Sequence, residues 1–129
     1  MVRHRTATPT ALELAIMQVV WELGEGTVEE VRAALERRGR PLAPPSIRTM
    51  LAILQEKGYL TRGKVSRAHV YRALVSEEKV GVRILKDILE RAFDGSVLEL
   101  VAALVRADMV SDAELKQIGQ LIKERDKGA

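Results

Sequence analysis

Pro44-Pro45-Ser46-Ile47-Arg48-Thr49 places a guanidinium and two hydroxyls directly behind a proline pair. A guanidinium can bridge the two acceptors on a guanine edge, and a threonine can hydrogen-bond a base or phosphate or touch a thymine methyl. Around this hexapeptide lie Arg37, Arg38, Arg40, Arg48, Lys57, Arg62, Lys64, Arg67 and Arg72, with Glu56 as the one acid between Arg37 and Arg72. So concentrated a positive run suits a polyanion partner such as a nucleic acid, the alternative being a solvated face. The asymmetry extends to the whole chain. Residues 1–75 hold 12 Lys+Arg against 7 Asp+Glu, and residues 76–129 hold 9 against 11.

Other chemistries lack their residues. The chain has no cysteine, so disulfides and thiolate metal sites are excluded, and His4 and His69 lie far apart, so no metal or other cofactor is expected. Nothing resembles a nucleophile–base pairing, an HExxH helix, a P-loop or a dinucleotide fold, and Gly24-x-Gly26 follows a helix rather than a strand. An enzyme is not expected. The apolar stretches Leu12–Leu23 and Val97–Val105 are short and interrupted by charge, so membrane insertion is not expected and a cytoplasmic location is.

The elements that must position the basic residues announce themselves by their caps. Thr10/Glu13, Thr27/Glu30, Ser96/Glu99 and Ser111/Glu114 have the spacing in which a hydroxyl and a carboxylate reciprocally satisfy free N–H groups at a helix start. A first helix over about Thr10–Leu23 lines up Leu12, Ile16, Val19, Val20 and Leu23 and stops at Gly24. A second, about Thr27–Arg38, presents Val28, Val31 and Leu35 and stops at Gly39. The third carries Ile47, Met50, Leu51 and Leu54 and ends at Gly58. Because a residue before proline is pushed out of the helical region, the third helix is expected to start at Pro45 with Pro44 as its cap, leaving the N–H groups of Ser46 and Ile47 free for phosphate. Its outward face then holds Ser46, Arg48, Thr49, Ala52, Gln55 and Glu56.

After Gly58 the pattern becomes β-tolerant, with strands at 59–62 and 68–75 and a basic turn at 63–67. Three helices and a hairpin make a winged helix-turn-helix, with the third helix in the recognition position. The expected fold is mainly α with a small β-wing: a winged domain over 1–75 and a helical dimerisation region of three helices over 76–129. That region offers Val80, Ile84, Leu85, Ile88 and Leu89, then Val97, Leu98, Leu100, Val101, Leu104 and Val105, then Leu115, Ile118, Leu121 and Ile122. So few residues cannot easily bury faces so wide within one chain, which predicts a homodimer facing a palindromic site, the alternative being that these helices pack back on their own winged domain. The expected dimer residues are Ile84, Ile88, Leu89, Phe93, Leu98, Val101, Leu104, Leu115 and Ile118. Trp21 and the methionines read as packing, His69 as a wing residue, and Arg3-His4-Arg5 as a basic terminus or a minor-groove arm.

"SIRTMLAILQEKGYL" followed by "RAHVYRAL", with "IMQVVWELGEGTVEEVRAAL" before and "AFDGSVLELVAALV" and "SDAELKQI" after, resembles the penicillinase and methicillin-resistance repressors, a family of winged-helix regulators that includes copper-responsive members. The resemblance implies a homodimeric repressor in which Ser46, Arg48 and Thr49 are recognition-helix positions and Arg62, Lys64 and Arg67 wing positions. Together with Arg40, Pro45 and Lys57 these are the candidate DNA-binding residues. It also implies, by analogy, a membrane sensor-protease partner. The chain departs from the family at Ile53 and Glu56, where basic residues are common, and at Ala103-Leu104, the counterpart of a cleaved Asn-Phe bond whose signal is not retained. The alternative reading is a winged-helix module that docks a protein without reading DNA.

Overall fold

A computed structural model describes residues 8–128. In chain order its elements are α1 (Ala11–Leu23), β1 (Glu25–Gly26), α2 (Val28–Arg37), α3 (Pro44–Glu56), β2 (Leu60–Val65), β3 (Ala68–Ala73), α4 (Glu77–Phe93), α5 (Val97–Arg106) and α6 (Asp112–Gly128). The described residues thus have the expected fold class, with six helices and a small antiparallel sheet. It divides into two compact units, Met1–Leu85 and Lys86–Ala129.

Complete capping boxes start α1 and α2. Thr10 accepts from Glu13 N–H while its own N–H donates to Glu13 Oε1, and Thr27 and Glu30 repeat the arrangement. The apolar stripes of α1, α2 and α3 converge on one core, in which Ile16, Met17, Val19, Val20, Val31, Leu35, Ile47, Leu51 and Leu54 are fully buried. Gly58, at φ +87°, lets the chain reverse out of α3 at a conformation a side chain would strain. The next residues, Tyr59 and Leu60, then enter the same core.

β3 is the central strand of the sheet, antiparallel to β2 on one side and to β1 on the other. β1 has only two residues and no hydrophobic alternation, so the sequence pattern does not mark it. The hairpin turn is tighter than the expected five residues. Gly63, Lys64 and Val65 belong to β2, and only Ser66 and Arg67 form the turn, with Ser66 at φ +59°. Pairing Val65 with Ala68 extends the ladder to the tip, and a two-residue loop suits the twist of the strands.

The two compact units divide inside α4, between Leu85 and Lys86, whereas the domain boundary expected from the sequence falls after residue 75. Val80 is fully buried in the first core and Ile84 packs against it, while the Arg83 guanidinium lies 5.5 Å from the centre of the Tyr59 ring. Trp21 Nε1 donates to the Val75 carbonyl at 2.9 Å, tying the approach to α4 onto α1. Ile84, expected at a dimer contact, is half-buried against the core of the winged unit.

The second unit is built differently. Ser96 Oγ accepts from Glu99 N–H to start α5, without the reciprocal bond of a full box, and Ser111 and Glu114 exchange both bonds at the start of α6. No residue from 86 to 128 is buried. Ile88, Leu98, Val101, Leu115 and Ile118 are exposed, as are Val97, Val105, Leu121 and Ile122, whereas Leu89, Phe93, Ala103 and Leu104 are half-buried.

Candidate nucleic-acid interface

The start of α3 departs from the expected one by a residue. Ala43, at φ −70° and ψ 146°, is the N-cap, and Pro44 and Pro45 occupy the first two helical positions. Ala43 has the extended backbone that a following proline favours. Two prolines at these positions cost the helix no hydrogen bond, because the first N–H groups of a helix have no intrahelical acceptor. A second correction follows. Ile47 N–H donates to the Ala43 carbonyl at 3.1 Å, so of the two N–H groups expected to be free only that of Ser46 lacks a helical acceptor. No side chain caps this end, in contrast to α1 and α2.

With Ile47, Leu51 and Leu54 buried, Pro45, Ser46, Arg48, Thr49, Ala52, Gln55 and Glu56 are exposed, the outward face the spacing predicts. Thr49 is not wholly free. Its hydroxyl donates to the Pro45 carbonyl at 3.1 Å, one turn back.

On the hairpin, Arg62 lies opposite Tyr71 and Lys64 opposite His69. Since strand residues alternate between faces, Arg62, Lys64 and His69 share one face of the wing, and Arg67 sits in the turn. All four are exposed. His69 joins the basic face through this register alone, a signal legible only once the two strands are aligned. Arg72 lies opposite both Thr61 and Glu25, on the other face. Arg40 is exposed in the connection to α3, its N–H held by the Leu35 carbonyl at 2.9 Å.

Lys57, one of the expected DNA-binding residues, differs from the others in being paired with a carboxylate. Its ammonium lies 2.8 Å from Glu13 Oε1, and the two side chains are only 13% and 5% exposed. Burial alone would raise the Glu13 carboxyl, but the hydrogen bonds from Lys57 and Thr10 and the charge of Lys57 outweigh it and hold the group below the usual carboxylate range. Lys57 thus neutralises a buried acid at the foot of α1. The ion pairs of the winged unit fall on other residues too: Arg32 bridges Glu29 and Glu36, and Arg38 meets Glu22. Among the described residues Arg40, Arg48, Arg62, Lys64 and Arg67 make no ion pair. Arg3, His4 and Arg5 lie outside the described residues.

Among the described residues no group of three His, Asp or Glu side chains could hold a metal ion, and no helix is long and apolar enough to cross a membrane.

The family model described as penicillinase repressor matches residues 9–124. The methicillin resistance regulatory protein MecI of Mammaliicoccus sciuri is 20% identical over 95% of this chain and 98% of its own length. A penicillinase repressor of Bacillus licheniformis is 28% identical over 87% of each. Among solved structures, the DNA-binding domain of the repressor BlaI is 32% identical, covering 53% of this chain and 82% of that one, with a TM-score of 0.47. The YusO protein of Bacillus subtilis has a similar fold at 15% identity, with a TM-score of 0.50 over 94% of this chain and 77% of that one.

Proposed function

The chain belongs to the penicillinase repressor family, and from that premise we propose that it is a homodimeric, non-enzymatic transcriptional repressor of the cytoplasm that reads a palindromic DNA operator through α3 and the β2–β3 wing. The observation that carries this reading is the state of its basic residues. Arg48 stands on the open face of α3 and Arg62, Lys64 and Arg67 on the wing, all exposed and without ion pairs among the described residues. Elsewhere in the same unit Arg32, Arg38 and Lys57 are matched by carboxylates. Exposed, unmatched cations on α3 and its wing suit phosphates and base edges, and Arg37 on α2 and Arg72 on the other face of the hairpin are likewise exposed and without an ion pair among the described residues.

Each residue has a role set by its chemistry. Arg48 bridges guanine acceptors, Ser46 offers its N–H and hydroxyl to a phosphate at the positive end of α3, Pro45 fixes where that end lies, and Arg40, Arg62, Lys64 and Arg67 neutralise flanking phosphates. A two-fold dimer through Ile84, Ile88, Leu89, Phe93, Leu98, Val101, Leu104, Leu115 and Ile118 presents two copies of α3 to half-sites one helical turn, or a multiple of it, apart. The sensor-protease of the family enters by analogy only: Ala103 and Leu104 lie within α5 and have neither residue of the Asn-Phe signal.

Binding of duplex DNA as a function of salt tests the reading. Affinity should fall with a log–log slope of about 0.9 per neutralised phosphate. Arg48→Ala should cost about 1–3 kcal/mol and relax base preference, whereas Lys64→Ala should weaken all sequences alike and flatten the slope by about one. Undetectable or salt-insensitive DNA binding would instead favour a protein-docking module.

A further inference from the structure

The bond between Thr49 and Pro45 decides how Thr49 can take part in recognition. A threonine hydroxyl has one proton and two acceptor lone pairs. The Thr49 proton is directed at the Pro45 carbonyl at 3.1 Å, within the helix itself. With that bond in place Thr49 cannot also donate to a guanine or to the O4 of a thymine. The bond has a steric effect as well. A β-branched side chain in a helix is stiff about its first torsion, and holding the oxygen against the preceding turn sets the γ-methyl with it. Thr49 is exposed, next to Arg48 on the open face of α3, and that arginine has no ion pair among the described residues. The hydrogen-bonding side chain and the methyl-bearing one are therefore adjacent on the face proposed to enter the groove.

We propose that Thr49 is a specificity-determining residue that reads the C5-methyl group of a thymine through its own γ-methyl, its hydroxyl serving to lock the rotamer. This rests on the DNA-reading assignment above. Apolar contact with the thymine methyl is one of the ways a major groove is read, and it distinguishes thymine from cytosine without a hydrogen bond.

The test uses a duplex that the protein selects from a randomised pool, with each thymine replaced in turn by uracil, which lacks only the methyl group. The unaltered protein should lose about fourfold in affinity at one thymine of each half-site, the worth of one buried methyl. Thr49→Val, which keeps a methyl and removes the hydroxyl, should retain that sensitivity. Thr49→Ser, which removes the methyl and keeps the hydroxyl, should abolish it. Selection of a duplex whose binding is indifferent to every uracil exchange overturns the inference alone, as does loss of preference in Thr49→Val with retention in Thr49→Ser. Failure to select any duplex overturns the DNA-reading assignment and this inference with it.

Discussion

Arg48, Lys64 and Lys57 are three basic side chains within one positive run, and their surroundings give them different work. Arg48 and Lys64 are exposed and have no carboxylate partner among the described residues, whereas Lys57 is spent on Glu13. Removing one member of a buried pair leaves a charge without compensation, so Lys57→Met should lower folding stability by about 3 kcal/mol in a denaturant titration. The folded variant should keep the salt slope of DNA binding. Loss of one unit of that slope would return Lys57 to the phosphate contacts. Glu13 also sets a pH dependence. Its carboxyl titrates lower in the folded chain than in the unfolded one, so its contribution is complete above the unfolded value and is lost as pH falls through the folded value. Thermal midpoints measured from pH 6 downward should therefore decline on entering the acidic range below about 4.3, the ordinary glutamate value. Glu13→Gln should be less stable at neutral pH and show a shallower acid decline.

At the scale of the element, α3 stands out by what it lacks. The helices α1 and α2 begin with complete capping boxes, whereas α3, the proposed recognition helix, begins with Ala43 and two prolines. Ala43 offers no side-chain acceptor, and the prolines have no N–H to be capped, so Ser46 N–H is the one donor of the first turn left to an outside acceptor. Ala43→Ser would supply an acceptor within reach of that N–H. The expected outcome is a gain in stability of about 0.5–1 kcal/mol together with weaker DNA binding, because the new hydroxyl competes with phosphate. Stability and affinity rising together would show that the bare N-terminus has no part in binding. The wing has its own logic, since the strand register, rather than the run of basic residues along the chain, decides which of them share a face.

For the whole molecule, the contrast between the two units matters most. The winged unit buries a contiguous core drawn from its helices and from β2 and β3, and the second unit buries no residue between 86 and 128. Helices with such open apolar faces are not stabilised by their own packing, because exposed Leu98, Val101, Ile118 and Leu121 leave their hydrophobic area in water. A second copy supplying the missing half of a core is the proposed remedy. Sedimentation should give a dimer at micromolar concentration, and Val101→Glu should shift it to monomer. Operator affinity should fall at least tenfold in that variant, since two half-sites bound through one dimer gain from effective concentration. A monomeric wild-type chain with full operator affinity would sink the dimer.

Much of this was legible in particular residues. Thr10, Thr27 and Ser111 announced their helices because a hydroxyl three residues before a glutamate is a local signal that needs no tertiary partner. The buried face of α3 followed from Ile47, Leu51 and Leu54 in the same way. What stayed hidden depends on residues distant in the chain. Glu13 claims Lys57 across 44 positions, Val80 carries the winged core into α4, and two residues of β1 pair with β3. Thr49 belongs between these cases, its type readable in the sequence and its hydroxyl's partner only in the folded helix. Periodicity and capping act within a few residues, so the sequence by itself determined the helices and their outward faces. Ion pairing, strand register and the limits of a core are settled by which elements meet, and that only the tertiary structure decided.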